Sequence, residues 1–85
     1  MEPPQGEAIE LGKLESPRGA FWATLRPLGE AWVLWVRREG SARRQHLGVL
    51  SSAQEGYAFI SRRGHRTDLD DWHELVIRIV ARHHG

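Results

Sequence analysis

The chain has 85 residues, of which 40% are hydrophobic and 27% are charged, and its formal net charge is +1, a composition typical of a folded globular domain. It contains no cysteine, which excludes disulfides, thiol chemistry and cysteine-based zinc sites. No apolar run is long enough for a membrane span or a signal-peptide core, so we expect a cytoplasmic protein without a membrane partner.

The charge is unevenly distributed along the chain. Residues 16–66 contain nine arginines and three glutamates, whereas the segments before and after them are both net acidic. Arginine binds phosphate through a planar fork and stacks on aromatic rings. A GC-rich coding sequence would also raise the arginine content, so composition alone does not separate the two explanations.

The N-terminal segment shows turn-forming residues and scattered acids. We interpret residues 1–8 as a flexible acidic arm, because the Pro3-Pro4 pair and Gly6 do not favour regular structure. Ile9, Leu11 and Leu14 are compatible with a short edge strand. Residues 9–85 are interpreted as a single α+β domain.

The middle of the chain predicts three strands in an antiparallel meander. Hydrophobic residues alternate over residues 21–26, 31–38 and 43–50, and turn signals occupy residues 27–30 and 39–42. Burial of the apolar residues favours a two- or four-residue loop at the second turn, since a one-residue slip exchanges the two faces of a strand. In that register the core face carries Phe21, Ala23, Leu25, Trp32, Leu34, Val36, Leu47 and Val49. The opposite face carries Trp22, Thr24, Arg26, Val33, Trp35, Arg37, Arg44 and His46.

Residues 51–64 fit either a short helix or a fourth strand. A serine cap and a closing glycine favour a helix, whereas the alternation around Tyr57 and Phe59 favours a strand. Gly56 would lie inside the helix and cost it roughly 1 kcal/mol relative to alanine. The strand is therefore the preferred interpretation.

The C-terminal segment predicts a helix that packs across the sheet. Thr67 or Asp68 would cap it, with Asp70 and Asp71 near its positive end. Its apolar stripe consists of Leu69, Trp72, Leu75, Val76, Ile79 and Val80. The predicted fold is thus α+β, a three- or four-stranded antiparallel meander with a C-terminal helix on one face. A homodimer is expected, because the chain has more large apolar groups than one sheet–helix interface easily hides.

No motif for catalysis, metal binding or a cofactor is present. The five histidines (His46, His65, His73, His83 and His84) show neither HxH nor HExxH spacing. None of the nine glycines falls in a phosphate-loop or dinucleotide-binding pattern. Ser51, Ser52 and His73 supply suitable residue types for a nucleophile and a base, but no spacing relates them. We therefore expect no enzyme activity, metal or cofactor.

The strongest functional indication is the predicted sheet face that combines tryptophan with arginine. Sheets that bind nucleic acid pair arginines for phosphate with exposed rings for stacking on bases. The sequence therefore predicts a small accessory protein that binds nucleic acid, preferably single-stranded. The alternative is a regulator or inhibitor that binds another protein, because Trp and Arg also dominate protein interfaces. The predicted site consists of Trp22, Arg26, Trp35, Arg37, Arg43, Arg44, His46, Arg62 and Arg63.

Over residues 20–82, the order of an antiparallel sheet and a tryptophan-containing helix resembles single-strand-binding coactivator modules and whirly modules. Those modules pair as dimers through their helices. The three-stranded ribbon with its arginine-rich turn also resembles the arm-binding domains of tyrosine integrases, in which the sheet enters the major groove. Both resemblances concern element order, with no diagnostic motif in common, and the acidic arm and acidic helix start depart from them. We infer no family membership.

Overall fold

A computed structural model describes Pro3 and residues 6–83 of the chain. Within this part, six antiparallel strands form one open sheet whose strand order follows the chain, β1-β2-β3-β4-β5-β6. The elements are β1 (Ile9–Ser16), β2 (Gly19–Leu28), β3 (Ala31–Arg38), β4 (Arg44–Ala53), β5 (Gly56–Ser61), β6 (Arg66–Leu69) and α1 (Trp72–Ala81). The predicted meander with a C-terminal helix on one face is confirmed, but the predicted number of three or four strands is wrong.

The core lies between α1 and one face of the sheet. Alternate residues of the central strands point into it because successive strand side chains face opposite sides. The helix contributes its apolar stripe from the other side. The buried cluster consists of Phe21, Ala23, Leu25, Trp32, Leu34, Val36, Leu50, Tyr57, Phe59, Trp72, Leu75, Val76 and Val80.

The extra strands come from the two ends of the meander. β1 spans eight residues rather than a short segment, and its register against β2 shifts between Glu10 and Gly12. Gly12 has a φ of +80°, a value that favours glycine and permits a bulge. The interrupted alternation explains why the sequence indicates only a weak strand here.

The predicted start of the helix is wrong. Residues 66–69 form β6, because the outer edge of β5 pairs with them, and Leu69 lies opposite Tyr57 instead of on a helical stripe. The helix begins after Asp71, whose Oδ1 accepts a hydrogen bond from the backbone N–H of His73 at 3.0 Å. Asp71 is thus the N-cap, and neither Thr67 nor Asp68 is.

A second bulge changes the predicted core of β4. Trp35 lies opposite His46, as the predicted four-residue loop at the second turn requires, but Leu34 lies opposite Gly48. Leu47 is therefore an extra residue, and every later side chain of β4 changes face. Leu50 replaces Val49 in the core, and Leu47 is only half-buried against it.

Two further predictions concern residues 51–64 and the N-terminal arm, residues 1–8. The preference for a strand within residues 51–64 is confirmed, since residues 51–53 end β4 and Gly56–Ser61 form β5. Of the predicted arm, Pro3 is buried and residues 6–8 are exposed. The other residues of the arm lie outside the described part of the chain. No helix among the described residues is long and apolar enough to cross a membrane.

Candidate functional site

The candidate site lies on the open face, which we define as the face of the sheet opposite α1. All eight residues predicted to share this face do share it, because their strand register places them in adjacent rows. Two of these rows contain the tryptophans that the core does not use.

The first row centres on Trp22. Trp22 lies between Lys13 of β1 and Arg37 of β3, and Arg37 lies opposite Arg44 of β4. Residues directly opposite each other in an antiparallel pair have Cβ atoms about 4.5–5.5 Å apart. The row thus places three cations and one ring side by side, and the Trp22 side chain remains 40% exposed.

The second row centres on Trp35. Trp35 lies between Thr24 and His46, and its ring packs on the His46 imidazole with centroids 5.4 Å apart and planes inclined by 35°. Both side chains are half-buried. Nε2 of His46 is buried without a hydrogen-bond partner among the described residues. Trp35 is therefore less accessible to a ligand than Trp22 and contributes more to packing within the sheet.

A concavity of about 230 Å³ joins the two rows. We call it the Trp–Arg cleft. It contains five of the nine residues predicted for the site and two polar neighbours from β1 and β2. Its lining consists of Glu10, Trp22, Thr24, Arg26, Trp35, Val36, Arg37 and Arg44.

Two hydrogen bonds restrain the polar groups of the Trp–Arg cleft. Arg37 donates from Nη1 to the backbone oxygen of Ser41 at 2.9 Å, which holds its guanidinium near the β3–β4 loop. The Thr24 hydroxyl donates to Oε2 of Glu10 at 3.0 Å. Glu10 adds one negative charge to the cleft, whereas Arg26, Arg37 and Arg44 add three positive charges.

The remaining four predicted residues do not line the Trp–Arg cleft, although His46 packs on its Trp35. His46, Arg62 and Arg63 line a second cavity of about 750 Å³, which we call the helix-end cleft. Arg43 lies in the exposed β3–β4 loop and lines neither cleft. The structure thus divides the predicted site in two. The lining of the helix-end cleft consists of Gln45, His46, Leu47, Ser61, Arg62, Arg63, Arg82 and His83.

Some residues of the open face and of the two clefts are not evident from the sequence. Glu10 and Lys13 reach the open face because the bulge at Gly12 resets the alternation of β1, and Gly12 inside an alternating segment was the available signal. Arg82 and His83 meet the β5–β6 turn only in the folded chain. No local pattern relates residues so far apart along the chain.

Arg66 of β6 forms an ion pair with Asp68, so its charge is already balanced within the protein. Its Nε and Nη2 donate to the two carboxylate oxygens of Asp68 at 2.8 and 3.0 Å. The hydrogen bonds from Arg66, assisted by its charge, hold the pKa of Asp68 below its ordinary value. The carboxylate of Asp68 thus balances the charge of Arg66.

Comparison with protein-family models, curated proteins and solved structures finds no match to this chain. Among the described residues, no group of three or more His, Cys, Asp or Glu side chains is placed to hold a metal ion.

Proposed function

We propose that this chain is a non-catalytic, cytoplasmic accessory protein that binds nucleic acid through the Trp–Arg cleft, with a preference for single strands. The observation that carries the proposal is the cleft itself. It brings Trp22 and Trp35 together with three arginines on a sheet face that no described helix or strand covers.

The two rings suit stacking on unpaired bases. Trp22 lies opposite Arg37, and Trp35 is two residues before Arg37 on the same strand. The rings are therefore diagonal neighbours, with Cα atoms about 7–8 Å apart. A single strand can offer its base faces to such rings, whereas a duplex keeps those faces stacked inside the helix.

The arginines around the rings suit the phosphates of the same strand. Arg26 and Arg44 are exposed and form no ion pair with a described residue. Guanidinium groups contact phosphate oxygens through two parallel hydrogen bonds. Neutralising phosphates releases bound counterions, so the affinity should fall steeply as the salt concentration rises.

Fluorescence anisotropy of labelled single- and double-stranded oligonucleotides, measured with the full chain at several salt concentrations, tests the proposal. Trp22→Ala should weaken single-strand binding by about 5- to 150-fold, because a stacked base contributes roughly 1–3 kcal/mol. Arg44→Gln should reduce the slope of log affinity against log salt by about 0.7 for a single strand.

Leu28→Ala is the matched control for Trp22→Ala. Leu28 is 58% exposed on the same strand but does not line the Trp–Arg cleft, so its removal should leave the affinity unchanged. Circular dichroism establishes that each variant is folded. A folded Trp22→Ala chain that binds single strands as tightly as the wild type would contradict the proposal.

A protein interface on the same face is the second candidate function, with a second copy of this chain as one partner. The apolar row beside the cleft favours it, since Val33, Val49 and Ile60 lie side by side and are half-buried. A tryptophan-centred protein interface would respond only weakly to salt. Sedimentation velocity of the wild type and Trp22→Ala would then detect a dimer that the substitution dissociates.

A further inference from the structure

The helix-end cleft lies where the end of α1 meets the turn between β5 and β6. It shares no lining residue with the Trp–Arg cleft. A neighbouring cavity of about 340 Å³ shares Arg63, Arg82 and His83 with it and adds His65. The two cavities together are lined by three arginines and three histidines, and by no aspartate or glutamate.

The β5–β6 turn holds Arg62 and Arg63 in a defined position. The backbone N–H of Arg62 donates to the oxygen of Leu47 at 3.3 Å, which joins the turn to the β4 bulge. Inside the turn, Ser61 N–H donates to the oxygen of His65, and His65 N–H donates to Ser61 Oγ. The Ser61 hydroxyl accepts in that bond, so its own hydrogen remains able to reach a ligand in the cleft.

The end of α1 is fixed to the sheet on the other side of the cleft. Nε2 of His83 lies 2.8 Å from Oε1 of Gln45, and the His83 ring packs edge-on against Phe21 with centroids 5.0 Å apart. Arg82 donates from Nε to the backbone oxygen of Arg78 at 3.3 Å. Arginines from the β5–β6 turn and from the end of α1, both held by hydrogen bonds, therefore line the same cavity.

The arginines of the cleft differ from their neighbours in charge pairing. Arg66 pairs with Asp68 and Arg78 pairs with Glu74, yet no ion pair among the described residues includes a cleft arginine. The negative end of the helix dipole accounts for Arg82. The helix dipole does not explain the presence of Arg62 and Arg63. These two residues belong to a turn, and their positive charges repel each other and that of Arg82.

We infer that the helix-end cleft is a phosphate-binding site formed by Arg62, Arg63 and Arg82, with the Ser61 hydroxyl as an additional donor. A phosphate offers several acceptor oxygens and more than one negative charge, which suits convergent guanidinium forks. The phosphate belongs either to a nucleic-acid strand or to a free phosphorylated compound. The inference does not depend on the proposed role of the Trp–Arg cleft, because the residues are different.

The test is an NMR titration of the full chain, at constant ionic strength, with pyrophosphate and separately with a single-stranded oligonucleotide that lacks terminal phosphates. We expect saturable shifts of the backbone amides of Arg62, Arg63 and His83 with at least one of the two probes. Arg63→Gln and Arg82→Gln should each weaken that binding by about tenfold or more, since each removes a charge-assisted hydrogen bond.

Arg78→Gln is the matched control, because it removes the same charge one helical turn earlier from an arginine that is already paired with Glu74. It should weaken binding by less than about twofold, as expected for an exposed paired charge. Saturation with pyrophosphate identifies a free phosphorylated compound as a sufficient ligand, and cleft shifts with the oligonucleotide alone identify a strand.

Two results would overturn the inference. One is the lack of saturable shifts at the cleft with both probes, and the other is equal weakening by Arg78→Gln and Arg82→Gln, which would indicate screening by net charge. Failure here is distinguishable from failure of the proposed function, because Trp22→Ala should change oligonucleotide binding without changing pyrophosphate binding.

Discussion

At the scale of single residues, Gly48 is where the backbone leaves no room for a side chain. Its φ is +154°, and a Cβ atom there would collide with the backbone oxygen of Ile60 and would lie 2.7 Å from Cζ of Phe59. The register shift of β4 brings Gly48 onto the core face opposite Leu34. The close approach of β4 to β5 and to the Phe59 ring thus requires glycine at this position.

We predict that Gly48→Ala lowers the free energy of unfolding by roughly 2–4 kcal/mol, because it combines overpacking with an unfavourable backbone angle. Urea denaturation followed by tryptophan fluorescence measures the loss. Gly40→Ala is the control, since Gly40 has a φ of +85° but nothing within 4 Å of the added atom. It should cost about 1–2 kcal/mol, and an equal loss in both variants would contradict the collision at Gly48.

At the scale of elements, α1 depends on a cap that lies later in the chain than the sequence indicates. Asp70 and Asp71 both precede the helix, but only Asp71 accepts a backbone hydrogen bond from its first turn. The four residues before them belong to β6, where Arg66 and Asp68 form an ion pair. The strand competes successfully for these residues because its pairing with β5 satisfies backbone groups of both segments and leaves an edge strand of only four residues.

Asp71→Ala should therefore destabilise the protein by about 1 kcal/mol, the usual cost of losing an N-cap side chain. Asp70→Ala is the matched control, because it removes the same charge near the helix start without removing the cap, and should cost a few tenths of a kcal/mol. Urea denaturation of both variants measures the two losses in the free energy of unfolding. Equal effects would mean that charge, rather than the hydrogen bond to His73, stabilises the start of α1.

At the scale of the whole molecule, the two faces of the sheet use tryptophan differently. Trp32 is 1% exposed in the core cluster, whereas Trp22 is 40% exposed on the open face. Phe21, Phe59 and Trp72 are buried in the same core, although the number of large apolar groups predicted that some of them would stay uncovered in a single chain. The homodimer therefore stays a prediction, and these buried side chains do not support it.

We predict that Trp32→Ala costs about 3–5 kcal/mol, a large part of the 4–13 kcal/mol that is roughly expected for a domain of this size. Trp22→Ala should cost less than about 1 kcal/mol, because the side chain is 40% exposed and its removal leaves no enclosed cavity. Thermal unfolding followed by circular dichroism should show a much larger fall in Tm for Trp32→Ala. The opposite order would mean that the assignment of the two faces is wrong.

Much of the central sheet could be predicted from the sequence. Alternation in β2 and β3 correctly separated Trp32 and Leu34 from Trp22 and Trp35, because strand side chains repeat every two residues without regard to distant contacts. The same rule failed in β4 after Leu47. A bulge adds one residue to one strand, and the hydrophobic pattern does not show where the addition occurs.

Sequence alone determined the antiparallel meander, the amphipathic helix and the placement of two tryptophans and three arginines on the open face, because these depend on local periodicity and turn chemistry. Tertiary structure decided the count of six strands in the described part of the chain, the bulges, the change of residues 66–69 from helix to strand, and the meeting of Arg62 and Arg63 with Arg82. Those features depend on which distant backbone groups and side chains become neighbours, and that is settled only when the whole sheet pairs and the helix packs on it.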